Sequence, residues 1–272
     1  MRSLERIDQW PAPHAAAAVV RADGTVAGSH GDTARTFRLA SVTKLLTAYA
    51  ALIAVEEGVV ELDTPAGPEG STIRHLLAHT AGLGFDSDRV MAQPGTRRMY
   101  SNAGFQVLGD ALAEHSGIPF AGYLSEAVLA PLGMTSTRLE GSPGAGGVSS
   151  VDDLVRFAAE LQAPKLLDPA TLRAATSVAF PGLNGVLPGL GHQKPNDWGL
   201  GFEIRDSKSP HWTGADSSPR TFGHFGQSGT FLWVDPDAGA ACVVLTDLDF
   251  GPWAIEAWPP FTDAVLAELR AA

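Results

Sequence analysis

The segment from Ser41 to Glu57 predicts a helix that is apolar on nearly all sides, with Val42, Leu45, Leu46, Tyr49, Leu52 and Ile53 spread around its circumference. A helix with no face to give to water belongs inside a protein, surrounded by other elements. It does not belong in a bilayer. The run Leu45 to Val55 contains Thr47 and Tyr49 and stops at Glu56-Glu57, short of the ~20 apolar residues a span requires. A length of 272 residues, 44% of them hydrophobic and 18% charged, is globular composition, with enough chain for a sizeable core in one large or two smaller domains.

Around that helix the pattern changes along the chain. Ala15 to Arg21, the turn Asp23-Gly24 and Thr25 to Ala27 read as a β-hairpin. The middle reads as helices: Thr72 to Leu77, Ala103 to His115 behind a Ser101 or Asn102 cap, Pro119 to Leu129, Leu154 to Leu161 behind a Ser150 capping box, and Pro169 to about Thr176. The last third returns to strands: Trp198 to Ile204, a segment from Thr221 to His224, and a hairpin of Thr230 to Val234 with Ala240 to Thr246. An amphipathic helix, Phe261 to Arg270, closes the chain. Strands at both ends can complete one antiparallel sheet with terminal helices packed on it. The expected fold class is therefore α+β. Residues 1–58 and 195–272 form a discontinuous sheet domain, residues 59–194 an inserted helical domain, and the crevice between them is the place for a small-molecule site.

Several function classes are excluded at this point. A formal charge of -11 argues against a nucleic-acid partner, which demands a basic face. One cysteine, Cys242, in the apolar run Ala240 to Leu245, rules out a disulfide framework and reads as a core residue. His75 and His79 stand at i, i+4, but Leu76-Leu77-Ala78 between them offers no Glu base, so a structural role outweighs a metal pair and no metal is expected. Met1-Arg2-Ser3-Leu4-Glu5-Arg6 alternates charge without an apolar secretory core, which points to a cytoplasmic protein that does not engage membranes.

Three clusters carry the chemistry. In Ser41-Val42-Thr43-Lys44, positions i and i+3 share a helix face, so Lys44 Nζ can reach Ser41 Oγ. A serine hydroxyl needs a base, and a lysine serves only when burial or a helix N-terminus lowers its pKa. Tyr100-Ser101-Asn102 pairs two residue types that each occur three times in the chain. Tyr100 could ionise or relay a proton, and Asn102 could donate to a substrate carbonyl while bonding the lysine. The pair could also simply cap a helix. In Gly223-His224-Phe225-Gly226-Gln227-Ser228-Gly229, glycines beside a strand suggest close backbone approach, with strand-edge N–H groups available to an oxyanion; a Gly-rich turn reads equally well.

In this order the three clusters resemble the serine β-lactamase and penicillin-binding-protein superfamily, in its class C β-lactamase, D,D-peptidase and family VIII carboxylesterase branch. The resemblance extends to Arg74 to Leu83, Gly146 to Ser150, Trp198 to Gly201 and Leu232 to Pro236, and runs from about residue 14 to the end. It implies a β-lactamase/transpeptidase-like fold that needs no cofactor. Ser41 would be the acylated nucleophile and Lys44 its base. Tyr100 would be the proton relay, Asn102 would orient substrate and Lys44, and the backbone N–H groups of Ser41 and Gln227 would form the oxyanion hole.

The third cluster departs from the family's Lys-Thr-Gly. His224-x-Gly226 still fits the Lys/His/Trp-x-Gly motif that this branch carries, but His224 is mostly neutral near pH 7 and Phe225 has no hydroxyl, with Ser228 as a candidate replacement for the lost hydroxyl. An anionic substrate carboxylate loses its partner. The expectation is thus a serine hydrolase of the carboxylesterase or peptidase/amidase type, acting on a small ester, amide or short peptide, with weak or no β-lactamase activity. The alternative is a catalytically inactive binding member of the same fold. Trp198, Phe202, Trp212 and Phe225 are candidates for either pocket wall or core.

Overall fold

The first long strand of the chain pairs with the last. In the computed structural model, which describes residues 1–271, β1 (Ala15–Arg21) lies between β2 (Val26–Gly31) and the C-terminal β11 (Ala240–Thr246), in register from Ala15↔Thr246 to Arg21↔Ala240. A short β3 (Thr36–Arg38) and a 3-10 turn, Ala40–Val42, lead into α1 (Thr43–Glu56). Then come α2 (Ile73–Leu77), α3 (Asn102–Ser116), α4 (Phe120–Leu124) with a π-helical turn over Ser125–Leu129, β4 (Arg138–Leu139), β5 (Gly147–Ser150), α5 (Val151–Glu160) and α6 (Pro169–Ala175). Strands β6 (Gly185–Leu187), β7 (Gly191–Gln193), β8 (Glu203–Ile204), β9 (Phe222–Gly226) and β10 (Thr230–Asp235) precede β11, and α7 (Pro252–Ala271) follows it.

The main sheet has six strands in the order β2-β1-β11-β10-β9-β8, every neighbouring pair antiparallel. Its central strands are apolar at consecutive positions because both faces are buried. Ala16, Ala18, Val20, Val243 and Leu245 join the core that holds α1. Ala17, Val19, Cys242, Val244 and Trp233 join a second core under α7 and the N-terminal residues. The α+β class and the joining of strands from both chain ends agree with the expectation from sequence. Helix α1 is enclosed, with Lys44, Thr43 and Thr47 buried beside its apolar residues, and it packs on α3, α4 and β9.

Five local differences stand out. A 3-10 helix, Arg2–Gln9, was not expected; its Leu4 and Ile7, three apart and so on one face, are buried, and the Arg2 and Ser3 N–H groups donate to Glu268 at 2.9 Å. Helix α7 begins at Pro252, nine residues before the expected start, and runs through Pro259-Pro260. Ala254, Trp258, Phe261 and Val265 form one buried stripe on the sheet, and that packing outweighs the lost backbone donors. Of the expected strand Trp198 to Ile204 only Glu203–Ile204 forms, and the hairpin β6–β7 and the small sheet β3-β5-β4 were not foreseen. No helix among the described residues is long and apolar enough to cross a membrane.

Candidate active site

Ser41 stands in the 3-10 turn that opens α1, and the backbone there is held by three hydrogen bonds from two elements. Leu39 N–H donates to Gly147 O at 2.8 Å. Thr230 Oγ1 donates to Leu39 O at 2.9 Å and Ser228 Oγ to Arg38 O at 2.6 Å. Ala40 is driven to φ 44°, sterically unfavourable for a residue with a Cβ. Gly226 is required by this crowding: a Cβ there would lie 2.3 Å from Leu39 O and 3.2 Å from Ala40 Cβ.

Lys44 is fully buried one turn beyond Ser41. Its Nζ lies 3.3 Å from Ser41 Oγ, 2.5 Å from Asn102 Oδ1 and 2.8 Å from Gly144 O. Burial pulls its pKa down from 10.5 to about 7, with Asp86 opposing. The partner set matters. Two carbonyl oxygens occupy two N–H groups, so a neutral amine has its lone pair left for Ser41.

Tyr100 donates to Ser41 Oγ at 2.7 Å, and burial raises its phenol above the usual range, so it rests protonated. The next residue, Ser101, caps α3: its Oγ accepts from Gly104 N–H at 2.9 Å and donates to Gly84 O at 2.6 Å. Capping therefore fixes the orientation of Tyr100 and Asn102 on either side. Asn102 donates its Nδ2–H to Asp86 at 2.8 Å, which turns Oδ1 toward Lys44. Behind Tyr100 lies His79, its ring centroid 4.5 Å from the phenol ring and 4.8 Å from Trp198, with Nδ1 accepting from Ser101 N–H. Burial, then Lys44 and His224, hold this imidazole neutral.

His224 on β9 faces the same space, 5.7 Å from Tyr100 and 5.4 Å from Trp198 between ring centroids. Burial, with Lys44 second, pushes its pKa down to about 3. Its Nδ1 donates to Phe225 O at 2.6 Å, and its Nε2 has no partner among the described residues. Phe225 alternates to the other face, against Phe250 and Trp258, although it still reaches the pocket wall. Gln227 is at the mouth, with Nε2 donating to Phe250 O at 3.1 Å.

Ser41, Tyr100, His224 and Gln227 line one pocket of about 60 Å³ with Trp198, Phe85 and Glu203. The structure thus brings together Ser41, Lys44, Tyr100, Asn102, His224, Gly226 and Gln227. It does not bring in Ser228, whose hydroxyl is spent on Arg38 O and cannot replace the missing hydroxyl of the third cluster. Trp198 and Phe225 contribute to the wall, whereas Phe202 and Trp212 are core. Among the described residues no three His, Cys, Asp or Glu side chains gather as a metal site would require.

The beta-lactamase family model matches residues 5–265, nearly the whole chain. The chain belongs to the beta-lactamase family. It is 61% identical to a beta-lactamase of known structure from Mycobacterium bovis, with a TM-score of 0.97 over 98% of this chain and 99% of that one. Among curated proteins it is 29% identical over 143 residues to the D-alanyl-D-alanine-carboxypeptidase/endopeptidase AmpH of Escherichia coli, covering 39% of this chain and 37% of AmpH. It is 34% identical over 145 residues to the esterase EstB of Burkholderia gladioli, covering 36% of this chain and 37% of EstB. The chain thus spans well under half the length of these curated relatives.

Sequence reasoning missed Asp86, Gly144 and Glu203. A backbone carbonyl such as Gly144 O leaves no mark in residue type, and Asp86 lies in an irregular loop. Glu203 did leave a signal, as an acid inside the apolar run Leu200 to Ile204. It is fully buried, pairs with Lys208, and accepts from His211 and Trp212 at 3.0 Å each; burial raises its carboxyl, but Lys208, with His211 second, outweighs burial and keeps it ionised.

Proposed function

We propose that the chain is a serine hydrolase that forms an acyl-enzyme at Ser41 on an ester or amide, of the carboxylesterase or peptidase/amidase type. The observation that carries this reading is the convergence on Ser41 Oγ of Lys44 Nζ, with a pKa near 7, and of a protonated Tyr100. Neutral Lys44 accepts the Ser41 proton as Oγ bonds to the carbonyl carbon. Negative charge then grows on the carbonyl oxygen. The Ser41 and Gln227 backbone N–H groups donate to no protein acceptor among the described residues, so both are free to stabilise it. The proton passes from Lys44 through Tyr100 to the leaving oxygen or nitrogen as its bond to carbon breaks. Water, deprotonated through the same pair, then frees the acid and Ser41.

The third cluster supports weak or no β-lactamase activity. Neutral, buried His224 offers no positive charge to a β-lactam carboxylate, and Phe225 no hydroxyl. Hydrolysis of p-nitrophenyl butyrate and of nitrocefin by wild type and Ser41→Ala tests both parts. The expected result is butyrate turnover that disappears with Ser41 and outpaces nitrocefin by orders of magnitude. Equal turnover in Ser41→Ala would remove the mechanism. Absence of turnover and of covalent labelling in wild type would favour the inactive binding protein instead.

A further inference from the structure

The pocket at Ser41 adjoins a much larger groove of about 880 Å³, and the two share Phe85, Tyr100 and Pro188 as lining. One wall is the loop before α3 and the other is the β6–β7 hairpin with its approach. Two features of this groove are unusual for this chain. Phe85, Met91 and Val186, which line it, are each more than half exposed at 52%, 58% and 55%. Apolar side chains gathered on the rim of a site mark a surface that a ligand covers.

The second feature is charge. The protein carries 30 acidic residues and a net charge of -11, yet no Asp or Glu lines this groove. Arg97, Arg98 and His192 do. Arg98 is committed to the structure, donating to the carbonyls of Asn196, Ala78, Ala179 and Phe180. Arg97 is exposed and has neither a salt bridge nor a side-chain hydrogen bond among the described residues. An unpaired guanidinium in an acid-free apolar groove is suited to a carboxylate or similar anion.

We infer that the substrate is an amphipathic ester or amide whose apolar chain lies along this groove and ends in an anionic group at Arg97. The inference deepens the Ser41 reading and rests on it for the chemistry. The neutral third cluster leaves the scissile end uncharged, and the anion is recognised at a distance from it.

Binding is measured on Ser41→Ala, so that it is read without turnover. The probes are monomethyl sebacate, dimethyl sebacate and monomethyl adipate, titrated by calorimetry. The monoanion should bind about three-fold more tightly than the neutral diester, an advantage that shrinks in high salt. Replacing Arg97 by Gln in that background should erase the preference, Arg97→Glu should reverse it, and Arg97→Lys should retain it. Sebacate should exceed adipate by up to about four-fold per added methylene, and Met91→Ser or Val186→Ser should reduce that gain. Equal binding of monoanion and diester, a preference untouched by Arg97→Gln, or no dependence on chain length would each overturn the inference. Turnover by wild type then tells which side of the ester carries the anion: mono-p-nitrophenyl sebacate places it on the acyl side, the butyrate ester of an ω-hydroxy acid on the alcohol side. These turnover arms fail with Ser41, whereas binding to Ser41→Ala does not.

Discussion

Lys44 can act as a base only while it is neutral, and its burial sets the pH at which that happens. With a pKa near 7, kcat/KM should rise with pH along an acid limb centred near 7. Lys44→Arg should lose several orders of magnitude at every pH, because a guanidinium stays protonated. A pH profile of ester hydrolysis reads both outcomes; an unchanged limb in Lys44→Arg would assign it to another group. His224 bears on stability. Its folded pKa, about 3, lies below the unfolded 6.5, so between those values the unfolded chain binds more protons and stability falls as pH falls. The slope is about 1.4 kcal/mol per pH unit for a single such group. His224→Gln should flatten acid unfolding across that window, followed by urea titration at pH 6.5 and 4.5. Ser41, Lys44, Tyr100 and Asn102 were legible because their spacing and residue type both matter to the chemistry. Asp86 and Gly144, which orient Asn102 and Lys44, were not, since one acts from an irregular loop and the other through a backbone oxygen.

Among the elements, the β9–β10 hairpin does more than line the pocket. Through Ser228 and Thr230 it clamps the carbonyls of Arg38 and Leu39, the two residues ahead of the strained Ala40. Thr230→Val removes the side-chain donor to Leu39 O, which keeps only Val42 N–H, and should cost about 0.5–1.5 kcal/mol in urea unfolding. Gly226→Ala should be worse for activity than for stability, because its Cβ would push on Leu39 O and Ala40 and so displace Ser41. A preserved kcat in Gly226→Ala would show that the nucleophile turn is not held from this side. Elements marked by a long apolar run, a clear cap or a turn between apolar runs, α1, α3 and the β10–β11 hairpin, could be read from sequence. The Arg2–Gln9 3-10 helix and the first turns of α7 could not. The former is mostly polar with two buried apolar side chains, and the latter depends on Trp258 and Phe261 finding the sheet despite two prolines.

For the whole molecule, the joining of distant segments is carried by a few buried polar residues as well as by the two cores. Arg98 ties the end of α2 to the segments around Phe180 and Asn196, through four carbonyls. Burial lowers its pKa only to about 10, so it remains charged near neutrality. Arg98→Met should destabilise the protein by about 3 kcal/mol or more, because it strips partners from several buried acceptors at once. The antiparallel sheet built from both chain ends was visible in the distribution of strand patterns. The groove between the loop before α3 and the β6–β7 hairpin was not, because its walls, an irregular loop and a short hairpin, lie about a hundred residues apart in the chain. The most direct measurement is mass spectrometry of the protein after reaction with a fluorophosphonate probe, with peptide mapping of the adduct. The expected result is one adduct, on Ser41, absent in Ser41→Ala and strongly slowed in Lys44→Met. An adduct on another residue, or one that persists in Ser41→Ala, would contradict a nucleophile at Ser41.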